Sequence, residues 1–120
     1  MSKKLTMLSL AAVLMMSSLA VADGSEGTWK GEVVDLACYV AQGAKGADHA
    51  GCAKACVKNG QPMGLLTDDG TLVLLAADHK DGEPYEALKD MAGEIASVVG
   101  TLAEKDGMKV VTVTGSKAAA

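Results

Sequence analysis

Cys38, His49, Cys52 and Cys56 place all the cysteines of the chain, and one of its two histidines, between positions 38 and 56. Thiolates and a neutral imidazole are the donors of a Cys3His tetrahedral centre, a set that suits zinc and accepts softer ions such as Cu(I). The spacing is C-x10-H-x2-C-x3-C. A helix over residues 48–58, with Asp48 as its N-cap, would put His49, Cys52 and Cys56 at i, i+3 and i+7 on one face. Cys38, at the end of a preceding strand, would then approach from outside. The chemistry expected of these residues is coordination of one zinc or copper ion, without turnover, by Cys38, His49, Cys52 and Cys56.

Two other chemistries compete for the same residues. In an oxidising compartment a disulfide is the ordinary use of cysteine, and one bridge adds roughly 2 to 4 kcal/mol to a small domain. Cys52 and Cys56 are poor partners for each other in a helix, so the bridge would join Cys38 to one of them and leave a third thiol unpaired. That odd thiol favours metal over disulfide. The disulfide alternative is a stapled OB-like module for a small ligand or a protein partner. A thiol-redox protein would use C-x-x-C near a βαβ unit, whereas this chain has C-x3-C among strands. A c-type haem would need C-x-x-C-H, and a conventional iron–sulfur cluster a fourth cysteine.

Single residues nearby have weaker roles. Met63 could add a soft sulfur, although methionine opening a strand is usually core filler. Asp35 could orient a ligand histidine, and is more often simply solvated. His79 lies in the polar run Asp78-His79-Lys80-Asp81 and is left out of the site. Tyr39 is expected to pack against the helix. The loop acids lack the spacing of a calcium loop. No paired catalytic carboxylates, nucleophile elbow or phosphate-cradling glycine loop occurs, and enzymatic activity is not expected.

The elements that must position these residues follow from pattern. Thr28 to Tyr39 reads as a strand whose apolar phase switches near Val33-Val34, as a bulged, curving strand does, with Gly31 easing the bend. Residues 41–47 read as loop. Met63 to Thr67 and Thr71 to Ala76 flank Asp69-Gly70 as a hairpin. Pro84 opens a short helix that Gly93 ends. Glu94 to Ala103 and Met108 to Thr114 form a second hairpin through Asp106-Gly107, and the tail after Gly115 is expected to fray. The fold class is mainly β: a small five-stranded OB-like barrel with an inserted short helix after strand 1 and a helix between strands 3 and 4. It forms a single domain, residues 23–120, with the Cys/His-bearing insertion at about 41–60.

The strings GEVVDLACY, HAGCAKAC and NGQPMGLL resemble a group of small exported bacterial proteins with an OB-like domain, from about Gly31 to the hairpin near Gly70. The ending VGTL, a DG turn and VVTV also resembles the last two strands of such domains. The resemblance implies that the Cys/His set is the site, on Cys38, His49, Cys52 and Cys56. It implies no particular activity.

Export is also written in the first residues. Lys3 and Lys4, an apolar run from Leu5 to Leu19 and the small residues Ala20-Val21-Ala22 have the three parts of a cleavable signal peptide over 1–22. The expected product is periplasmic or secreted, with no stable membrane anchor after cleavage near Ala22. The leader holds two of the eleven basic residues and none of the fifteen acids, and arginine is absent throughout. The remaining domain is therefore acidic. With Trp29, Tyr39 and Tyr85 as the only aromatics, it offers neither the basic face nor the stacking platform of a nucleic-acid binder.

Overall fold

The computed structural model describes residues 24–119. The expected signal peptide lies outside them. Five strands, β1 (Ser25–Asp35), β2 (Met63–Thr67), β3 (Leu72–Ala77), β4 (Ile95–Lys105) and β5 (Met108–Ala118), close into a barrel in the order β1-β2-β3-β5-β4. The β3–β5 contact is parallel and the other strand pairs are antiparallel. This is the five-stranded OB-like arrangement. Three short helices complete it: α1 (Leu36–Gln42), α2 (Ala50–Lys58) and α3 (Glu83–Leu88). The last joins β3 to β4. Among the described residues no helix is long and apolar enough to cross a membrane.

Closure depends on β1 serving two neighbours. Its first part pairs with β4, from Ser25↔Leu102 to Glu32↔Ile95, and its last part pairs with β2, from Gly31↔Thr67 to Asp35↔Met63. The changeover falls at Gly31 and Glu32. A Cβ on Gly31 would collide with the Leu66 carbonyl, so the bend there requires glycine. The expected bulge at Val33-Val34 is absent from the β1 pairings; the irregularity lies instead between Val99 and Gly100, where β4 meets β5. The apolar phase switch has another cause. Val33, Val34 and Asp35 are all buried, because helices α1 and α2 cover the end of β1.

The core joins barrel and helices in one cluster. Val33, Met63, Leu65, Val73, Leu75, Val98, Val111 and Val113 line the barrel, and Ala53 and Val57 of α2 enter the same cluster with Leu88 and Ala92. Met63 is fully buried and is core filler, as its position suggested. Hydrophobic burial thus seats α2 against β1, leaving the stripe one residue earlier, Cys52 and Cys56, at the edge of its buried face. Surface ion pairs Lys54–Glu94 at 3.1 Å and Lys58–Asp90 at 2.6 Å lie along the same contact. Such exposed pairs contribute little to stability.

Both hairpins form where the DG pairs stand. Asp106 and Gly107 have φ of 52° and 83°, the left-handed pair of a two-residue turn matched to strand twist. At the first hairpin, Asp69 accepts hydrogen bonds through Oδ1 from the Thr67 hydroxyl and from Thr71 N, the latter at 3.1 Å. The Thr67 hydroxyl, followed by the Thr71 backbone, holds the Asp69 carboxyl below its ordinary pKa. A group with a depressed folded pKa supplies stability that is present above the normal carboxylate range and is lost as pH falls through the folded value. Asp69→Ala should therefore lower the Tm at neutral pH. It should also flatten the acid limb of a Tm-against-pH profile relative to the parent chain.

Two further expectations change. The segment from Leu36 is helical, so Cys38 stands in α1 and not at a strand end. The reason is local: Asp35 ends β1 and caps the helix, its Oδ1 accepting from Ala37 N at 3.1 Å and Cys38 N at 3.4 Å. At the C-terminus the chain beyond Gly115 does not fray, because β5 continues to Ala118 and pairs there with Ala96. Ser116 also donates its hydroxyl to the Pro84 carbonyl at 2.7 Å.

Candidate metal centre

The cysteines and His49 come from three successive pieces around the capped end of β1. Asp35 is the last residue of the strand, and Cys38 lies three residues on, in the first turn of α1. Gly43, at φ 68°, ends that helix and its N–H donates to the Tyr39 carbonyl at 2.8 Å. The returning loop is tied to β1 by Gly46 N, which donates to Glu32 Oε2 at 2.6 Å. A 3-10 turn over Ala47–His49 then delivers the imidazole, and α2 starts at Ala50. The helix expected from Asp48 begins two residues later, with His49 at its N-cap position and no side-chain cap bond. His49 keeps helical backbone, with φ −100° and ψ −5°, but precedes the regular helix that carries Cys52 and Cys56. It reaches the site from the turn before the helix.

Asp35, Cys38 and His49 each bring one donor atom within 4.8 Å of the others. Cys52 and Cys56, expected in the same centre, fall outside this group but stand close enough to influence the thiols: the Asp35 carboxylate acts first on both Cys38 and Cys56, and Cys52 acts on each. All three cysteines are free thiols, with Cys38 and Cys56 half-buried and Cys52 exposed. Asp35 is 1 % exposed, which corrects its reading as a solvated residue. His79 is exposed in its loop and lies outside the group. Tyr39 is half-buried on α1.

The electrostatics of the group disfavour thiolate in the absence of a cation. The Asp35 carboxylate, with burial next, raises the Cys38 thiol above its ordinary pKa. The same carboxylate, then burial and Cys52, pushes Cys56 up to about 11. A reactive redox cysteine needs the opposite shift, a lowered pKa that exposes thiolate at neutral pH. Two buried polar atoms of these residues, Asp35 Oδ2 and His49 Nε2, lack a hydrogen-bond partner of good geometry, the Cys38 and Cys56 thiols being the groups that approach the Asp35 carboxylate. Native proteins seldom leave such atoms orphaned, because each costs about 1 to 3 kcal/mol. Both are Lewis-basic donors, and the thiols beside them become donors on losing a proton. A cation among them would satisfy the orphans and reverse the sign of the shift on each thiol.

The residues present therefore fit a metal ion. Sequence reasoning found Cys38 and His49 and did not give Asp35 a place among the donors. The signal was the string Asp35-Leu-Ala-Cys38 with Gly43 beyond it, an N-cap and a C-terminal glycine bracketing one short helix. Comparison of the chain with known family models, curated proteins and solved structures finds no match.

Proposed function

We propose that this is an exported protein that binds one thiophilic ion, zinc or Cu(I), through Cys38, His49, Cys52 and Cys56. The observation that carries the reading is the convergence of Cys38 and His49 on the buried Asp35, within 4.8 Å of one another, beside two further thiols. Their separate origins in α1, the 3-10 turn and α2 mean that a bound ion would cross-link the insertion to the end of β1. Binding and folding are then coupled. The signal-like leader, with the resemblance of the Cys/His strings to small exported bacterial proteins, supports placing the protein in the periplasm or outside the cell.

A thermal-shift titration tests this. A ligand that binds only the folded state adds about 4 kcal/mol at a free concentration 1,000 times Kd, which for a domain of this size corresponds to roughly 15 to 30 °C in Tm. Zinc added to the reduced protein should raise the Tm on that scale, and chelator should return it to the metal-free value. Cys56→Ser should reduce the shift. A Tm indifferent to both zinc and Cu(I) would refute the proposal.

A second reading, compatible with the first, comes from a cleft of about 420 Å³ on the barrel lined by Trp29, Val73, Leu102, Lys30 and Lys109. Asp68 and Asp69 line it as well, so an apolar wall with charges of both signs suits a small polar organic ligand. Along β1 it lies about 20 Å from the thiol cluster, at roughly 3.3 Å per strand residue.

A further inference from the structure

We infer that Asp35 is itself a metal ligand, through Oδ2, and that its carboxylate makes this a site for a divalent ion of the zinc class and not for Cu(I). The inference rests on the metal-binding reading above, puts Asp35 in place of Cys52 among its four donors, and adds the class of ion. Asp35 is the one buried charged residue among those described. Its two oxygens are used differently: Oδ1 caps α1 by accepting from Ala37 N and Cys38 N, whereas Oδ2 is buried with no hydrogen-bond partner. The salt-bridged lysines among the described residues, Lys54, Lys58 and Lys89, pair with Glu94, Asp90 and Glu86, so none neutralises Asp35. The second orphan in the same group is His49 Nε2.

Asp35, Cys38 and His49 bring an oxygen, a sulfur and a nitrogen donor together, and the half-buried Cys56 beside them would complete a four-donor set of S2NO type by closing toward the ion. Zinc takes carboxylate, imidazole and thiolate together in tetrahedral sites. Cu(I) is selected by soft thiolate and thioether ligands and gains little from a carboxylate. A divalent ion also neutralises more of the buried negative charge than a monovalent one. Cys52, exposed at the rim, is then outside the four donors.

The test compares Zn(II) and Cu(I) affinities of the full reduced protein and its Asp35→Asn variant, each measured by competition with a chromophoric chelator. Asparagine caps helices as well as aspartate does, so α1 is kept, and the metal-free Tm controls for folding. The expected result is a Zn(II) affinity lowered by about 10- to 100-fold or more with Cu(I) affinity changed by less than about threefold. An equal loss for both ions, or none for Zn(II), would overturn the inference by showing that Asp35 only orients other donors. A parent protein that binds Cu(I) alone would overturn it too, yet leave the coordination reading standing. Binding of neither ion would remove both. A second measurement does not depend on the Asp35 variant: in the Co(II)-loaded protein the sulfur-to-metal charge-transfer band should be unchanged by Cys52→Ser and roughly halved by Cys56→Ser. Equal losses in the two serine variants would contradict the S2NO set.

Discussion

Gly93→Ala should cost the protein about 2 to 4 kcal/mol, the sum of placing a Cβ in left-handed backbone and of overpacking a fixed contact. Gly93 has φ +84°, and a Cβ there would stand 2.6 Å from Ala50 Cα and 2.5 Å from Ala50 Cβ. The segment cannot retreat, because Gly93 N donates to the Val33 carbonyl at 2.7 Å and Val33 N donates to the Glu94 carbonyl at 3.0 Å. The start of α2 must give way instead. Ala50 immediately follows His49, so the variant should lose zinc affinity as well as stability. Urea unfolding measures the first and chelator competition the second. A stability change below about 0.5 kcal/mol, the usual range for an inert surface substitution, would mean that α2 does not pack on the β4 entrance as described.

Cys38→Ser should have the larger effect on the site and a small one on the fold. Cys38 is half-buried on a short capped helix, and serine keeps nearly its shape. The metal-free Tm should therefore stay close to that of the parent. Zinc affinity should fall by at least about 100-fold, the upper end of what even the loss of an outer hydrogen-bonding partner costs at zinc sites. His79→Ala is the matched control, since His79 is exposed and outside the group; its affinity should equal that of the parent. Competition titration of the three proteins in reductant checks both statements. A Cys38→Ser variant that binds zinc as tightly as the parent would exclude Cys38 from the centre.

The barrel was legible because its signals are local and agree with one another. Asp69-Gly70 and Asp106-Gly107 set both hairpins, and Pro84 and Gly93 bracket the α3 region together with the 3-10 turn that follows it. The order of these elements leaves the OB-like closure as the natural way to pair their edges. The start of the insertion was not legible in the same way. Val33-Val34-Asp35-Leu36 alternates and branches like a strand, and periodicity carries the eye past Asp35 into Cys38. A cap competes with that pattern through one side chain, which accepts from the backbone two and three residues on. The strand-like run therefore ends earlier than its hydrophobicity suggests. The phase switch at Val33-Val34 came from helices covering the outer face of the strand, a tertiary effect that no local pattern contains.

The site divides along the same line. Cys38 and His49 are visible as donor types at close spacing, and the structure brings their donor atoms together. Asp35 is visible only once the helix it caps is known, since a lone aspartate after a strand reads as solvated. His49 was expected within the helix of Cys52 and Cys56 and instead closes the 3-10 turn that runs into it. That turn is held back by the contact of Gly46 with Glu32, fourteen residues earlier in the chain, and a periodicity argument cannot see such a tie.

The most direct measurement of the central claim is a pair of mass spectra, native and denaturing, on protein purified without chelator or reductant. Coordination predicts one tightly held zinc or copper ion in the native spectrum and, after denaturation, a chain with all three cysteines reduced. A metal-free chain lighter by the two hydrogens lost in forming a disulfide would contradict it, and would mean that the cysteines staple the insertion to α1 by oxidation.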